Sequence, residues 1–256
     1  MITRFKTLVL LTVIMVTAFF PVQAFAEEEW KLDYVIHAAG AIGEDVGTNS
    51  LEGVKSCFFN GYRYIELDFS FTTDNHLVAI HDWETDYFLD GSFSGAVSLE
   101  EFKTKKILGK YTPVTLDVLE SWIAGKPETY IITDIKERNV EGLKYIKDNY
   151  PVLADRIIPQ IYNETEYEPA REMGYGKIVY TLYALSYDEK TNVKRISAFV
   201  KEKGIDALVF STELATKEYV SSLKSSGANL LCHTVNDKEE QEKYKEMGVG
   251  VYSDFY

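Results

Sequence analysis

The chain has 256 residues, 27 basic and 40 acidic, for a formal net charge of -13, and 46% of its positions are hydrophobic. That apolar content over that length supports a sizeable core and excludes a globally disordered chain. The mean negative field excludes a general binder of nucleic acid, although a local cationic site or a bound metal overrides such a field.

Arg4 and Lys6 precede an apolar run over 8–20, and Ala24-Phe25-Ala26 forms a small-x-small site just before Glu27, Glu28 and Glu29. This pattern predicts a signal peptide over 1–26, cleaved after Ala26, and one folded domain over 27–256. The run is short for a membrane span, which needs about 20 residues; an uncleaved leader serving as an anchor is the alternative. The expected location is secreted or otherwise extracytoplasmic.

From residue 34 onward, short runs rich in Ile, Val, Tyr and Phe predict strands at 34–37, 64–69, 77–81, 130–135, 157–162, 177–182, 207–210, 230–235 and 250–252. Amphipathic stretches at 50–60, 115–124, 140–149, 193–203, 217–225 and 238–247 predict helices between them, several closed by glycine. Strands alternating with helices imply parallel pairing. One connection differs. The residues between 64–69 and 77–81 are too few for a parallel crossover, so this pair forms an antiparallel hairpin. Eight remaining βα units fit a (β/α)8 TIM barrel with a hairpin strand inserted after the second strand. An open doubly wound sheet is the alternative, but no glycine-rich nucleotide loop follows the first strand.

The chemistry gathers at the strand ends. His37 closes the first strand, at the rim where barrel sites assemble. Glu66 and Asp68 lie two apart, so they share a face, and burying both is costly unless a cation compensates. A turn centred between Asp74 and Asn75 sets Asp68 opposite His81. Asp134 and Lys136 repeat the two-residue spacing on the strand 130–135. Three carboxylates, two imidazoles and a lysine suit a divalent cation, acid-base catalysis and a phosphate. The plainer alternatives are ion pairs of Glu66 and Asp68 with Arg63 or Lys55, and a structural role for each His. His76 sits in the hairpin turn and is expected to be solvated. His233 ends a strand and is a candidate pocket residue. Trp83, Tyr87 and Phe88 could wall a cleft or simply pack. Cys57 and Cys232, the only cysteines, fit two buried thiols or one bridge.

These motifs, taken in order, resemble the glycerophosphodiester phosphodiesterase family of (β/α)8 barrels over most of 34–256. His37-Ala38-Ala39-Gly40 is similar to the family's His-Arg-Gly with alanine in place of arginine, and Thr48-Asn49-Ser50 to its Glu-Asn-Thr. Glu66-Leu67-Asp68 matches its Glu-x-Asp, and Thr73-Asp74-Asn75 with His81-Asp82 its Thr-x-Asp-Gly turn and His-Asp. Pro113-Val114-Thr115-Leu116 stands at its Pro-Thr-Leu helix start, and Thr133-Asp134-Ile135-Lys136 at its Ile-Glu-Ile-Lys with Asp for Glu. His233-Thr234-Val235-Asn236 replaces the Trp of Trp-Thr-Val-Asn, and Ser253-Asp254 closes the pattern as its Thr-Asp.

The resemblance implies His37 and His81 as the catalytic pair and Glu66, Asp68 and Asp134 as ligands of Ca2+ or Mg2+. It also implies Lys136 on the phosphate; His233 and Trp83 are candidate substrate contacts by their positions at a strand end and just after His81. The implied reaction turns a small-molecule glycerophosphodiester into a glycerol phosphate and an alcohol, without nucleic acid or a stable protein partner. Alternatives are phospholipase-like activity on lipids and a barrel that binds a glycerophosphoryl ligand without turnover. The missing arginine removes a bidentate phosphate grip, since alanine offers no charge.

Overall fold

A computed structural model describes residues 30–84 and 95–256. The expected leader at 1–26 and the cleft candidates Tyr87 and Phe88 lie outside the described residues. The strands are β1 (Tyr34–Ile36), β2 (Tyr64–Phe71), β3 (Leu77–Ala79), β4 (Val114–Thr115), β5 (Tyr130–Ile135), β6 (Ile157–Ile161), β7 (Val179–Thr181), β8 (Ala207–Ser211), β9 (Asn229–His233) and β10 (Gly250–Ser253). The helices are α1 (Leu51–Phe59), α2 (Leu99–Thr104), α3 (Leu116–Ile123), α4 (Asn139–Asn149), α5 (Pro151–Ala154), α6 (Tyr167–Glu172), α7 (Tyr187–Thr191), α8 (Val193–Lys203), α9 (Lys217–Leu223) and α10 (Lys238–Glu246).

The sheet runs β1-β10-β9-β8-β7-β6-β5-β2, and β1 pairs back onto β2, so eight parallel strands close into the expected (β/α)8 barrel. Strands buried on both faces read as nearly continuous apolar runs, as β6 and β8 do. One alternating set, including Ile65, Leu67, Phe69, Tyr180, Leu208 and Phe210, joins the large core cluster with helix residues such as Leu119, Leu143 and Val200. The other set is apolar low in the barrel, with buried Ile132, Ile158, Val179 and Ala207. It turns polar at the C-terminal ends of the strands, with Glu66, Asp68, Asp134, Gln160 and Thr181 all buried. That change of polarity along the inward face positions the site at the barrel mouth.

The hairpin departs from the expected register by one residue. Phe71 pairs with Leu77, Ser70 with Val78 and Phe69 with Ala79, and the Ile80 N–H donates to the Asp68 carbonyl at 3.0 Å. Asp68 therefore stands opposite Ile80 and not His81. The cause is the turn. The Thr72 N–H donates to the His76 carbonyl at 2.8 Å, enclosing the three residues Thr73, Asp74 and Asn75, and Asn75 takes a φ of 61°. Three-residue hairpin loops commonly end on a left-handed residue, which asparagine tolerates. The Asp74 carboxylate fixes the turn by accepting from the Thr72 hydroxyl at 2.6 Å and the Leu99 N–H at 2.9 Å. A one-residue slip exchanges the faces of a strand, so Ile80 takes the place expected for His81.

The two-residue strand β4, unmarked in the sequence pattern, extends the hairpin by pairing with β3. A small second cluster of Val78, Ile80, Phe102 and Ile107 lies under this extension. His76 is not merely solvated: its Nδ1 lies 2.8 Å from the Tyr145 hydroxyl. Cys57 and Cys232 are buried free thiols.

Gly53 in α1 lets the chain turn tightly after His37. A methyl group there would stand 2.6 Å from the Ala39 carbonyl oxygen. Ala38 and Ala39 hold left-handed φ values of 46° and 65°, a strain of roughly 1–2 kcal/mol per non-glycine residue. Gly53→Ala is expected to lower stability by about 1–3 kcal/mol through overpacking, against the helix propensity alanine would add. Urea unfolding measures it, and an unchanged midpoint would contradict the close approach.

Candidate active site

The strand pairing itself builds the acidic cluster. β2 and β5 pair so that Asp68 stands beside Asp134 on neighbouring strands, and Glu66 lies one inward position below Asp68. One oxygen from each of Glu66, Asp68 and Asp134 lies within 4.8 Å of the others, and all three side chains are buried. These oxygens are spaced to share one ion, whose oxygen ligands sit at about 2.0–2.6 Å. No equivalent pair forms with Arg63 or Lys55.

The surrounding donors hold each carboxylate in place. The Ala38 N–H donates to Glu66 Oε2 at 2.7 Å, a contact the left-handed turn after His37 makes possible. Asn49 and Asp68 bond reciprocally: Asn49 Nδ2 donates to Asp68 Oδ2 at 2.8 Å, and the Asp68 N–H donates to Asn49 Oδ1 at 3.0 Å. The hydroxyls of Tyr162 and Tyr183 donate to Asp134 Oδ1 at 2.5 and 2.9 Å. Lys136 Nζ lies 2.7 Å from Asp68 Oδ1 and 2.8 Å from Asp134 Oδ2. Glu66 Oε1 has no hydrogen-bond partner among the described residues.

Electrostatics follow from this crowding. Burial, then the charges of Asp68 and Asp134, push the Glu66 pKa up, and the positive His37 opposes them only in part. Burial works against a charged Lys136, yet Asp68 and Asp134 outweigh it and hold the ammonium well above the usual lysine value. His37 Nδ1 lies 2.7 Å from Asp254 Oδ1, and its Nε2 lies 4.0 Å from Glu66 Oε2. Burial opposes the imidazolium, but the Asp254 hydrogen bond and the charges of Glu66 and Asp68 prevail and raise its pKa to about 9. Asp254 also accepts from Asn236 Nδ2 at 2.7 Å and is held below the usual carboxylate range.

A cavity of about 260 Å³ opens here, lined by His37, Glu66, Asp134, Lys136, Gln160, Thr181, Tyr183 and His233 among others. Lys136 is the lysine or arginine of that lining, where Ala38 leaves no guanidinium. His233 meets the Tyr183 ring edge-on with centroids 6.0 Å apart, and burial, then the His37 charge, lowers its pKa. A larger cavity of about 570 Å³ lies at the opposite end of the barrel, around Asn229 and Gly250 at the starts of β9 and β10. It holds none of this chemistry.

Two expected residues belong neither to the acidic cluster nor to the cavity lining. His81 follows β3, keeps 48% of its side chain exposed and places Nδ1 2.7 Å from Asp82 Oδ2. It lies on the same rim as His37, because the preceding Ile80 bonds to Asp68, but the register change keeps it out of the acidic cluster. Trp83 packs edge-on against Phe102, with centroids 5.9 Å apart, in the small cluster under the hairpin. Asn49 and Asp254, motif positions without an assigned role, join the site through Asp68 and His37, and Tyr162 and Tyr183 join it unmarked by any motif. Tyr162 and Tyr183 each lie just past a strand's C-terminal end, which is the signal that could have found them.

The sequence model of the glycerophosphoryl diester phosphodiesterase family matches residues 40–256. A glycerophosphodiester phosphodiesterase of Caldanaerobacter subterraneus subsp. tengcongensis is 26% identical over 230 residues, covering 82% of this chain and 90% of that protein. The fold matches the crystal structure of the glycerophosphodiester phosphodiesterase of Thermotoga maritima with a TM-score of 0.68 at 18% identity, over 89% of this chain and 96% of that one. It matches a phosphodiesterase of Oleispira antarctica, solved with its product sn-glycerol-3-phosphate, with a TM-score of 0.68 at 18% identity, over 88% and 93% of the two chains. With the family model spanning every barrel strand after the first, the chain belongs to the glycerophosphoryl diester phosphodiesterase family.

Proposed function

We propose that the protein hydrolyses glycerophosphodiesters to a glycerol phosphate and a free alcohol, outside the cytoplasmic membrane. Its divalent cation, Ca2+ or Mg2+, would be held by Glu66, Asp68 and Asp134. The observation that carries this reading is the convergence of three buried carboxylates beside His37 and Lys136 at the barrel mouth. The unpartnered Glu66 Oε1 and the raised Glu66 pKa mark negative charge that the side chains present do not fully compensate. When bound, the ion supplies charge neutralisation on the phosphate oxygens. The extracytoplasmic placement rests on the leader pattern at 1–26.

The chain's own groups divide the rest of the work. Asp254 holds His37 by Nδ1, which leaves Nε2 as the atom that carries the working proton. The Asp254 carboxylate at Nδ1 favours the imidazolium, so His37 takes the general-acid role and protonates the departing alcohol. His81, half exposed on the same rim, takes the general-base role, accepting the proton of the hydroxyl that attacks phosphorus as the bond to the alcohol breaks. Lys136 holds phosphate oxygen, and His233 faces the bound substrate from the cavity wall.

The direct experiment is incubation with glycerophosphocholine and Ca2+ or Mg2+, reading released sn-glycerol 3-phosphate. Turnover that a chelator abolishes is expected. Tight binding without turnover would instead favour the ligand-binding barrel.

Asp254→Asn gives a signed pH test. Losing the carboxylate lowers the His37 pKa, so the alkaline limb of kcat/KM should move to lower pH by about one unit. A limb that stays in place would remove His37 from the acid role.

A further inference from the structure

The six oxygens of the acidic cluster are unequally committed. Glu66 Oε2 accepts from Ala38, Asp68 Oδ2 from Asn49, and Asp134 Oδ1 from Tyr162 and Tyr183. The oxygens left to face a cation are Glu66 Oε1, Asp68 Oδ1 and Asp134 Oδ2. Lys136 Nζ holds the last two, at 2.7 and 2.8 Å. We propose that the Lys136 ammonium and the divalent cation compete for Asp68 Oδ1 and Asp134 Oδ2, so that ion binding releases Lys136 into the cavity, where it holds phosphate.

This inference rests on the ion site proposed above and adds an order of events to it. A divalent ion at about 2.0–2.6 Å from the two oxygens and an ammonium at hydrogen-bond distance from the same oxygens would be close like charges. One of them must leave. The carboxylates are fixed by strand pairing and by the Asn49 and tyrosine hydrogen bonds. Lysine is a compact charge on a flexible four-carbon stem, and Lys136 already lines the cavity with a quarter of its side chain exposed. Lys136 is therefore the group that moves.

The ion-free site then has its lysine neutralised by two carboxylates and grips an anion weakly. With the ion in place, both positive charges face the phosphate. In a chain with alanine at position 38, this release supplies cationic grip that no neighbouring arginine provides. Linkage requires the converse: whatever holds Lys136 away from the carboxylates must tighten ion binding.

Calorimetric titration of Ca2+ and Mg2+ into wild-type and Lys136→Met protein tests this without reference to activity. The variant should bind the ion about tenfold more tightly, within the range usual for linked sites. Unchanged or weaker binding would overturn the competition.

Acetic anhydride labelling of the wild type, read by mass spectrometry at Lys136 against the exposed Lys217, covers the case in which the variant fails to fold. Adding the ion should speed labelling of Lys136 relative to Lys217 by about fivefold or more. An unchanged or falling ratio, in protein that binds the ion, would overturn the lysine inference and leave the ion site standing. Wild-type protein that binds no divalent ion would overturn both.

Discussion

Glu66→Gln is expected to cut turnover by at least about a thousandfold, the several kcal/mol that a metal contributes to charge stabilisation, and to make the ion-free protein more stable at alkaline pH. Glutamine keeps the volume and can still accept from the Ala38 N–H, but it brings no charge to the cluster. Burial and two neighbouring carboxylates raise the Glu66 pKa in the folded state. The native protein therefore holds this proton more tightly than the unfolded chain does. Stability must fall as pH rises from the unfolded glutamate value toward the folded one. The variant should gain on the wild type across that window and match it below pH about 4, where both states of the wild type carry a neutral carboxyl. Thermal unfolding in a chelator at several pH values reads the stability, and glycerophosphocholine hydrolysis reads the activity. A variant less stable than wild type at pH 8 would mean that Glu66 is satisfied in a way its unpartnered Oε1 does not suggest.

His37→Ala should lose about 10²–10⁴ in kcat, the scale of a general acid or base, while ion affinity stays near that of wild type. The imidazole contacts the cluster only through Nε2, 4.0 Å from Glu66 Oε2, so it is no ligand in this arrangement. His81→Ala is the informative companion. A comparable loss would place both imidazoles in the reaction despite their different surroundings, one tied to Asp254 inside the cavity and one tied to Asp82 on the rim. If His81→Ala retains full turnover, the second proton transfer belongs to water or to another cavity group, such as His233. Steady-state assays with both ions separate these outcomes.

The barrel was legible because its signals are local and repeated. β-branched runs of five or six residues such as β5 and β6, each followed by an amphipathic segment, survive any uncertainty at their ends. The acidic cluster was legible for a similar reason: the two-residue spacing in Glu66–Asp68 and Asp134–Lys136 fixes a shared face whatever the neighbouring strands do. What the sequence could not give was the hairpin register. One residue more or less in the turn decides it, and the left-handed Asn75 closes a loop of three. That single residue moved His81 off the cluster and set Ile80 over Asp68. Nor could spacing alone reveal that Lys136 bridges Asp68 and Asp134, or that Asn49, Tyr162 and Tyr183 complete the shell. Those contacts join residues 19 to 68 positions apart, or sit at strand ends where side-chain direction depends on the loop.

The most direct measurement is a crystal grown with Mn2+, an oxygen-preferring ion suited to such carboxylates, with its anomalous signal located. A single peak bound by Glu66, Asp68 and Asp134, with Lys136 drawn away from the two aspartates, is the predicted result. A peak elsewhere, or none at saturating Mn2+, would contradict a metal-centred site at this barrel mouth, whereas a peak on the three carboxylates with Lys136 still bridging the aspartates would contradict only the release of the lysine.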